Sequence, residues 1–295
     1  MPYQLIDGKN LSTQILNEIA INVGELKKRS EIIPGLSVVL VGDDPASDIY
    51  VRSKERAALK AGMVVKLIRM PGQSSEDKII EIVRSLNNDV NYHGILVQLP
   101  LPDHVDQNRV ITSINPLKDV DGLHPFNAGL LAAGEPRFIP ATPGGIREIL
   151  LRTTNDPSGK HVVVIGRSNI VGRPVSNLLS LKGKGGDATV TVCHSRTRDL
   201  TDICRSADVI IAAIGIPNFV KGDMVSEGVV AIDVGINRVN APEKKRGYML
   251  VGDIEFESVS RKAAAITPVP GGVGPMTIAM LLSNTLYAAD IFRHG

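Results

Sequence analysis

Lys54 follows Tyr50 by four residues in Tyr50-Val51-Arg52-Ser53-Lys54, so on a helix the two share one face, a turn apart. A lysine amine exchanges protons near neutral pH only when burial or a neighbouring cation lowers its pKa from about 10.4. Gln98 closes the apolar run Gly94–Val97 and precedes Leu99-Pro100-Leu101-Pro102, where the prolines end any ladder. A polar residue there faces the ligand crevice of a doubly wound sheet, or else bonds the loop backbone. Asp121, in Lys118-Asp119-Val120-Asp121-Gly122, reads either as a turn residue or as an acceptor for paired N–H donors of a ligand.

A second constellation lies further on, in Gly166-Arg167-Ser168 followed by Val171-Gly172-Arg173-Pro174. The β-branched run Val162–Ile165 predicts a buried parallel strand, and a helix-forming stretch begins after Gly172. A strand feeding a helix through a glycine turn brings backbone N–H groups and a helix N-terminus together, which suits a pyrophosphate. The spacing departs from G-x-G-x-x-G, because Ser168 stands at the second glycine and Gly172 closes the turn. The next strand, Thr189–Cys193, runs into His194-Ser195-Arg196-Thr197, which has hydroxyls and a cation but no carboxylate for a ribose 2′-hydroxyl. Ser195 and Arg196, with Arg167 in the turn, favour a 2′-phosphate and hence NADP; two solvated loop arginines are the plainer alternative.

These residues need elements to hold them. Leu11, Ile15, Ile19, Val23 and Leu26 recur at helical spacing, giving a first helix that ends near Lys27–Arg29. Leu36–Val41 is a strand, and Gly42-Asp43-Asp44-Pro45 a turn, after which Ser47 or Asp48 is placed to cap the helix carrying Lys54. Met63–Met70 reads as a strand, Ser74 or Ser75 caps a helix bearing Ile79, Ile80, Val83 and Leu86, and Gly94–Val97 is a third strand. Ala141-Thr142-Pro143 opens a helix into a second domain, so the boundary falls near Pro140. Thr189–Cys193, Asp208–Ile211 and Val229–Val234 continue a βαβ pattern with a parallel sheet, and Thr277–Phe292 reads as a terminal helix packing back on the first domain. Lys182-Gly183-Lys184-Gly185-Gly186-Asp187 reads as a mobile turn.

The totals narrow the function. Lys+Arg 33 against Asp+Glu 31 leaves a net charge of +2 without charged blocks, and aromatics are 3%, so neither nucleic acid nor a membrane surface is an expected partner. Cys193 and Cys204 fit no zinc spacing and read as reduced thiols, and the start Tyr3-Gln4-Leu5-Ile6-Asp7-Gly8 is no secretory leader, which makes a cytoplasmic location the expectation. His93, His104, His124, His161, His194 and His294 form no metal-binding pair, so no metal is expected and each histidine is assigned an ordinary surface or loop role.

Taken in order, the Tyr50–Lys54 segment, Gly94–Pro102, Lys118–Gly122, the Gly166–Pro174 turn and Pro270-Gly271-Gly272-Val273-Gly274-Pro275-Met276-Thr277 resemble the bifunctional methylenetetrahydrofolate dehydrogenase/methenyltetrahydrofolate cyclohydrolase family over essentially the whole chain. The resemblance implies two α/β domains flanking a cleft. Residues 1–140, completed by a terminal helix 275–295, would bind folate, and residues 141–274 would form a Rossmann-like NADP-binding domain. It implies Lys54 as the general acid/base of the hydrolytic step, Gln98 as its tuning partner, Asp121 on the pterin ring and Tyr50 stacked on the aminobenzoate. Val51, Arg52, Ser53, Val97, Leu99 and the loop Pro270, Gly271, Gly272, Val273, Gly274 would complete the folate site. Gly166, Arg167, Ser168, Ser195, Arg196 and Ile236 would hold the cofactor. A homodimer is also implied, and with the chain ending at Gly295 no synthetase domain of the kind some relatives append is expected.

Two other readings remain at this stage: a non-catalytic nucleotide- or folate-binding protein, and an unrelated NADP-dependent dehydrogenase. Short-chain dehydrogenases also use Tyr-x-x-x-Lys, but there the nucleotide turn precedes the tyrosine, whereas here Tyr50 precedes Gly166.

Overall fold

The structure is a computed structural model that describes residues 3–242, 244 and 247–292. In chain order its elements are β1 (Gln4–Leu5), α1 (Gly8–Ser30), β2 (Gly35–Val41), α2 (Pro45–Lys60), β3 (Val64–Met70), α3 (Glu76–Asn88), β4 (Gly94–Val97), α4 (Gln107–Thr112), α5 (Pro125–Ala132) and α6 (Ala141–Arg152). There follow β5 (His161–Ile165), α7 (Gly172–Ser180), β6 (Thr189–Cys193), α8 (Leu200–Arg205), β7 (Val209–Ala212), β8 (Val230–Asp233), β9 (Asn237–Asn240), β10 (Tyr248–Val251), α9 (Phe256–Ser260), β11 (Ala265–Ile266) and α10 (Val273–Ile291). Two compact units divide the chain. One combines Thr13–Ala141 with the described residues from Ile278 onward, and the other combines the described residues up to Ser12 with Thr142–Thr277.

In the unit built on Thr13–Ala141, β2 is buried at all seven positions and pairs in parallel with β3 on one side and β4 on the other. Such a strand has no solvent face, which is why it reads as an apolar run interrupted only by the small, buried Ser37. The sheet is extended past β4 by a parallel bridge between Ile95 and Asp119. Helix α3 is capped by Ser75, whose hydroxyl accepts from Lys78 N, and Glu76 and Asp77 complement its dipole in the first turn. Its Ile79, Ile80, Val83 and Leu86 pack with Val39, Ile95 and Val97. Helix α2 starts earlier than its expected caps: Asp44 accepts from Ser47 N at 2.8 Å, and Pro45 occupies the first turn. Ser47 and Asp48 therefore lie inside the helix.

The second unit holds a sheet ordered β1-β11-β8-β7-β5-β6, parallel at every pairing among the described residues. The chain leaves β5 for β6 on one side and returns to β7 on the other, so the strand order reverses between β5 and β7. Ligands of open α/β sheets bind outside the strand C-termini at such a point. Residues 3–12, counted with the first domain in the sequence reading, pack here instead, because Gln4 and Leu5 pair with Ala265 and Ile266. An antiparallel hairpin, β9 with β10, was not anticipated. Helix α10 also begins earlier than Thr277, since Pro275 falls in its first turn, where a missing N–H costs nothing.

The segment Lys182–Asp187 is tied down. Gly183 N donates to Asp187 Oδ2 (2.9 Å), Gly186 N to Gly183 O (2.9 Å) and Asp187 N to Leu181 O (2.7 Å). It connects α7 to the start of β6, at the strand N-termini, and so lies at the end of the sheet away from the ligand crevice.

Candidate active site and nucleotide turn

Strand β2 ends at Gly42, whose φ of +87° suits glycine, and the Asp44-capped helix α2 then carries Lys54 on its third turn. Strand β4 ends at Val97, and Gln98 N still donates to Val39 O at 2.9 Å, which fixes the glutamine at the C-terminal edge of the sheet. Lys54 Nζ donates to Gln98 Oε1 at 2.9 Å, while Gln98 Nε2 donates to Leu99 O at 2.6 Å. The reading of Gln98 as a residue that bonds the loop backbone holds. Its amide is locked on the loop backbone, and that lock turns its oxygen toward the lysine.

Asp121 is the third member. Burial pushes its pKa up and pushes that of Lys54 down, and each charge partly offsets the other's shift. Nearby Asp119 raises Asp121 further. The loop that presents Asp121 is pinned on all sides. Ile95 N donates to Lys118 O (2.8 Å), and Asn284 Nδ2 on α10 donates to Val120 O and Ile139 O (both 2.8 Å). Gly122 has φ +72° and packs against Pro140 so closely that a Cβ would touch its backbone.

Asp119 organises the far side of this loop. Its buried carboxylate accepts from Leu123 N (3.2 Å), His124 N (2.9 Å) and Asn127 Nδ2 (2.8 Å). Lys118, 2% exposed, donates to Leu86 O and Asp89 O and so closes the C-terminal end of α3. Neither role was identified from sequence, although both residues were quoted in the motif. His93 is also buried and accepts from Gly35 N through Nδ1, a core role rather than the surface role assigned to it.

The remaining folate-site expectations divide. Tyr50 is on α2 and 38% exposed, one turn before Lys54. Val51 and Val97 have side chains in the core. Arg52 is paired with Asp48 at 2.7 Å, and Ser53 bonds Ile49 O within the helix. Leu99 offers its carbonyl to Gln98. Pro270 is exposed and Gly271 half-buried with φ +110°, whereas Gly272 and Val273 are buried. Gly271 O accepts from Lys9 N, and Ile236 Cδ1 lies beside Gly274.

In the second unit the glycine turn sits at the β5 end of the reversal point. Gly166 has φ +123°, and a Cβ there would strike Ala213 O at the end of β7; a Cβ on Gly172 would strike Gly166 O. Those two glycines let the strand end, the β7 loop and α7 approach one another. Ser168 Oγ accepts from Val171 N (3.2 Å) and Gly172 N (3.3 Å). It therefore shapes the turn. Arg167, Ser195 and Arg196 are exposed around it, and His194 Nδ1 accepts from Arg196 N (3.1 Å), holding the end of β6 in a turn. The donors and cations there, with no carboxylate in the β6 turn His194-Ser195-Arg196-Thr197, fit a 2′-phosphorylated dinucleotide.

Cys193 and Cys204 are free and buried, and burial pushes the Cys204 thiol up to about 12. Among the described residues no helix is long and apolar enough to cross a membrane.

Known proteins share this architecture. Residues 6–121 match the family model described as tetrahydrofolate dehydrogenase/cyclohydrolase, catalytic domain, and residues 140–293 match its NAD(P)-binding domain. The bifunctional protein FolD of Moorella thermoacetica is 53% identical over 289 residues, 98% of this chain and 99% of its own. That of Flavobacterium johnsoniae is 52% identical over 285 residues, 97% of each. The crystal structure of the bifunctional FolD enzyme, a methylenetetrahydrofolate dehydrogenase/cyclohydrolase, from Campylobacter jejuni superposes with a TM-score of 0.91 at 46% identity, covering 98% of this chain and 99% of that one. The Trypanosoma brucei enzyme, complexed with NADP cofactor and inhibitor, gives 0.94 at 39% identity over the full length of both.

Proposed function

The chain belongs to the tetrahydrofolate dehydrogenase/cyclohydrolase family, and from that premise we propose that it oxidises 5,10-methylenetetrahydrofolate with NADP⁺ and then hydrolyses the methenyl product to 10-formyltetrahydrofolate. Bound NADP⁺ supplies the hydride acceptor, and the hydride leaves the one-carbon bridge between N5 and N10 to give a methenyl cation. No strong base is needed for that step, so the protein's part in it is alignment. The exposed Arg167, Ser195 and Arg196 would hold the 2′-phosphate, the Gly166–Gly172 turn the pyrophosphate, and Ile236 the opposite end.

Hydrolysis is where the side chains act. As water adds to the methenyl carbon, neutral Lys54 takes its proton. The resulting ammonium returns a proton to N5 as the C–N5 bond breaks, leaving the formyl group on N10. Overall the cation and one water give the formyl product and one proton. Burial keeps the amine available as a base, and Gln98 accepts its hydrogen bond without holding the proton as a carboxylate would. Asp121 accepts from paired N–H donors of the pterin, and Tyr50 stacks on the aminobenzoate. The single observation that carries this reading is the 2.9 Å bond from Lys54 Nζ to Gln98 Oε1.

Free buried thiols accord with a reducing, cytoplasmic setting, and the family resemblance supports a homodimer. The test is turnover of the purified protein with methylenetetrahydrofolate and NADP⁺, following NADPH, methenyl and formyl products separately. Formation of both NADPH and formyltetrahydrofolate is expected. Methenyl accumulating at its uncatalysed decay rate would remove Lys54 from the mechanism.

A further inference from the structure

Two buried carboxylates take no part in the chemistry above. Asp253 is fully buried: its Oδ2 accepts from Ile214 N (2.7 Å) and Gly215 N (2.9 Å), and its Oδ1 from Asn237 Nδ2 (2.9 Å). Asp233, at the end of β8, accepts from Gly235 N (3.0 Å) and Asp253 N (2.9 Å) through Oδ1 and from Ile254 N (2.9 Å) through Oδ2. Its own N donates to Thr267 Oγ1 at 2.8 Å. Each acid is fitted against a glycine of the other's segment. A Cβ on Gly235 would strike the Asp253 carboxylate, and one on Gly252 the Asp233 carboxylate.

Burying two acids side by side is costly, and well-packed apolar residues hold a core as firmly. What the acids supply is direction, since every bond just named ends on a loop at the C-terminal edge of the large sheet. Asp253 gathers the loop after β7 through Ile214 and Gly215, and the loop after β8 through Asn237. The 252–254 segment adds backbone bonds, from Asn218 N to Gly252 O (3.0 Å) and from Val220 N to Asp253 O (2.9 Å). The loop after β7 is also the one that Gly166 touches through Ala213 O, so it forms the wall of the β5/β7 crevice opposite the glycine turn. With its two amides bound to Asp253, that wall offers no donors from Ile214 or Gly215. Its exposed surface includes Ile216, and Ile236 stands exposed on the loop after β8.

We propose that Asp253, held in place by Asp233, is a positioning residue of the nucleotide site: it fixes the 213–215 wall of the β5/β7 crevice and thereby sets nucleotide affinity without touching the nucleotide. This rests on the reading of that crevice as the NADP site. Lys54, Gln98 and Asp121 belong to the other compact unit, so hydrolysis of the methenyl substrate without nucleotide is an internal control.

The experiment is a fluorescence titration of NADPH into the full chain, with nucleotide-free hydrolysis measured on the same samples. Asp253→Ala is expected to weaken NADPH binding by about tenfold or more, the loss of charge-assisted bonds to two amides, with hydrolysis unchanged. Asp253→Asn sets an amide N–H₂ against either the backbone donors or Asn237 Nδ2, and weakens binding as well. The exchange Asp253→Asn with Asn237→Asp again gives each donor an acceptor, and is expected to recover affinity to within about threefold, as coupled neighbours do. Should Asp253→Ala not fold, Asn237→Ala tests the same tie from its half-buried end and is expected to weaken NADPH while sparing hydrolysis. Unchanged affinity in the folded variants, an exchange no better than Asp253→Asn alone, or hydrolysis falling in step with binding would each overturn the proposal. A wild-type chain that binds no NADPH overturns the reading of the crevice itself. One that binds NADPH but turns over no folate overturns the assigned activity and leaves the Asp253 test standing.

Discussion

Replacing Gln98 by glutamate separates tuning of Lys54 from mere positioning. The wild-type amide accepts from Lys54 Nζ at 2.9 Å and donates to Leu99 O at 2.6 Å, so it carries no charge and has one orientation. A carboxylate of the same shape sets an anion at the lysine and another oxygen against the Leu99 carbonyl. At 2.9 Å, with an effective dielectric of about 20, the attraction between the new anion and the ammonium is about 6 kcal/mol. Desolvating the carboxylate offsets several kcal/mol of that. A remainder of only about 1.4 kcal/mol still leaves about tenfold less free amine at neutral pH. Gln98→Glu is therefore expected to cut hydrolysis at pH 7 by about tenfold or more, and to recover it as pH rises, because the ascending limb of the pH–rate profile, set by deprotonation of Lys54, moves to higher pH. Gln98→Leu removes the acceptor without adding charge, and should lower the rate by freeing the amine from its position while moving the limb the opposite way, to lower pH. The assay is methenyl consumption across a pH series, corrected for the uncatalysed reaction, with a thermal melt to confirm folding. A Gln98→Glu profile that drops without moving, or that matches the wild type, would refute the idea that Gln98 sets the protonation of Lys54.

Three further outcomes follow from the same geometry. Lys54→Met should abolish hydrolysis, a loss of at least about 10²-fold for a general acid/base, while NADPH titrates into the protein with unchanged affinity. Asp121→Ala should weaken folate binding by roughly 1.5–3 kcal/mol, the range for charged hydrogen bonds, read as a calorimetric Kd or a rise in KM. The Asp233 carboxyl is pushed up to about 7, first by burial and also by the Asp253 charge, against three backbone N–H donors. In the native state it keeps a proton that the unfolded chain releases near 3.8, so its contribution to stability is complete below about pH 4 and is lost as pH rises to about 7. Denaturant titrations over that window should show the wild type losing stability with pH more steeply than Asp233→Asn; equal slopes would mean that Asp233 is ionised throughout.

The legible parts of the chain are those where one local pattern had one structural solution. The runs 36–41 and 162–165 have no polar face, so only a strand buried on both sides accommodates them, and β2 and β5 are those strands. Lys54 and Gln98 were legible as neighbours because one sits on a helix after a strand and the other at a strand end, and a parallel sheet brings those two places together. The cap of α2 was misread because Asp44, Ser47 and Asp48 are all competent caps, and Pro45 decides between them by favouring the first turn. Strand β1 was missed because two residues carry no periodicity, and its pairing with β11 joins positions about as far apart as the chain allows. Asp253 and Asp233 left no readable signal either, since an Asp next to or two residues from a Gly is what an ordinary turn looks like. The bond from Asp253 N to Asp233 Oδ1 and the two reciprocal glycine contacts reveal that these acids are neighbours.

That contrast explains how the proposed hydrolytic site can hold an awkward pair of charges. A lysine and an aspartate that are both disfavoured as ions relax apart, or admit water, if their loops can move. Here the Asp121 loop is held by Asn284 on two carbonyls, by the bridge from Ile95 to Asp119, by the three donors on Asp119, and by the close approach of Gly122 to Pro140. None of those contacts touches Lys54 or Gln98. In the proposed mechanism the motif residues supply the reacting groups, and the surrounding backbone bonds fix the distance at which burial can perturb them. For that reason Asp119, Asn284 and Gly122 belong to the proposed hydrolytic site as much as the lysine whose contacts they do not share.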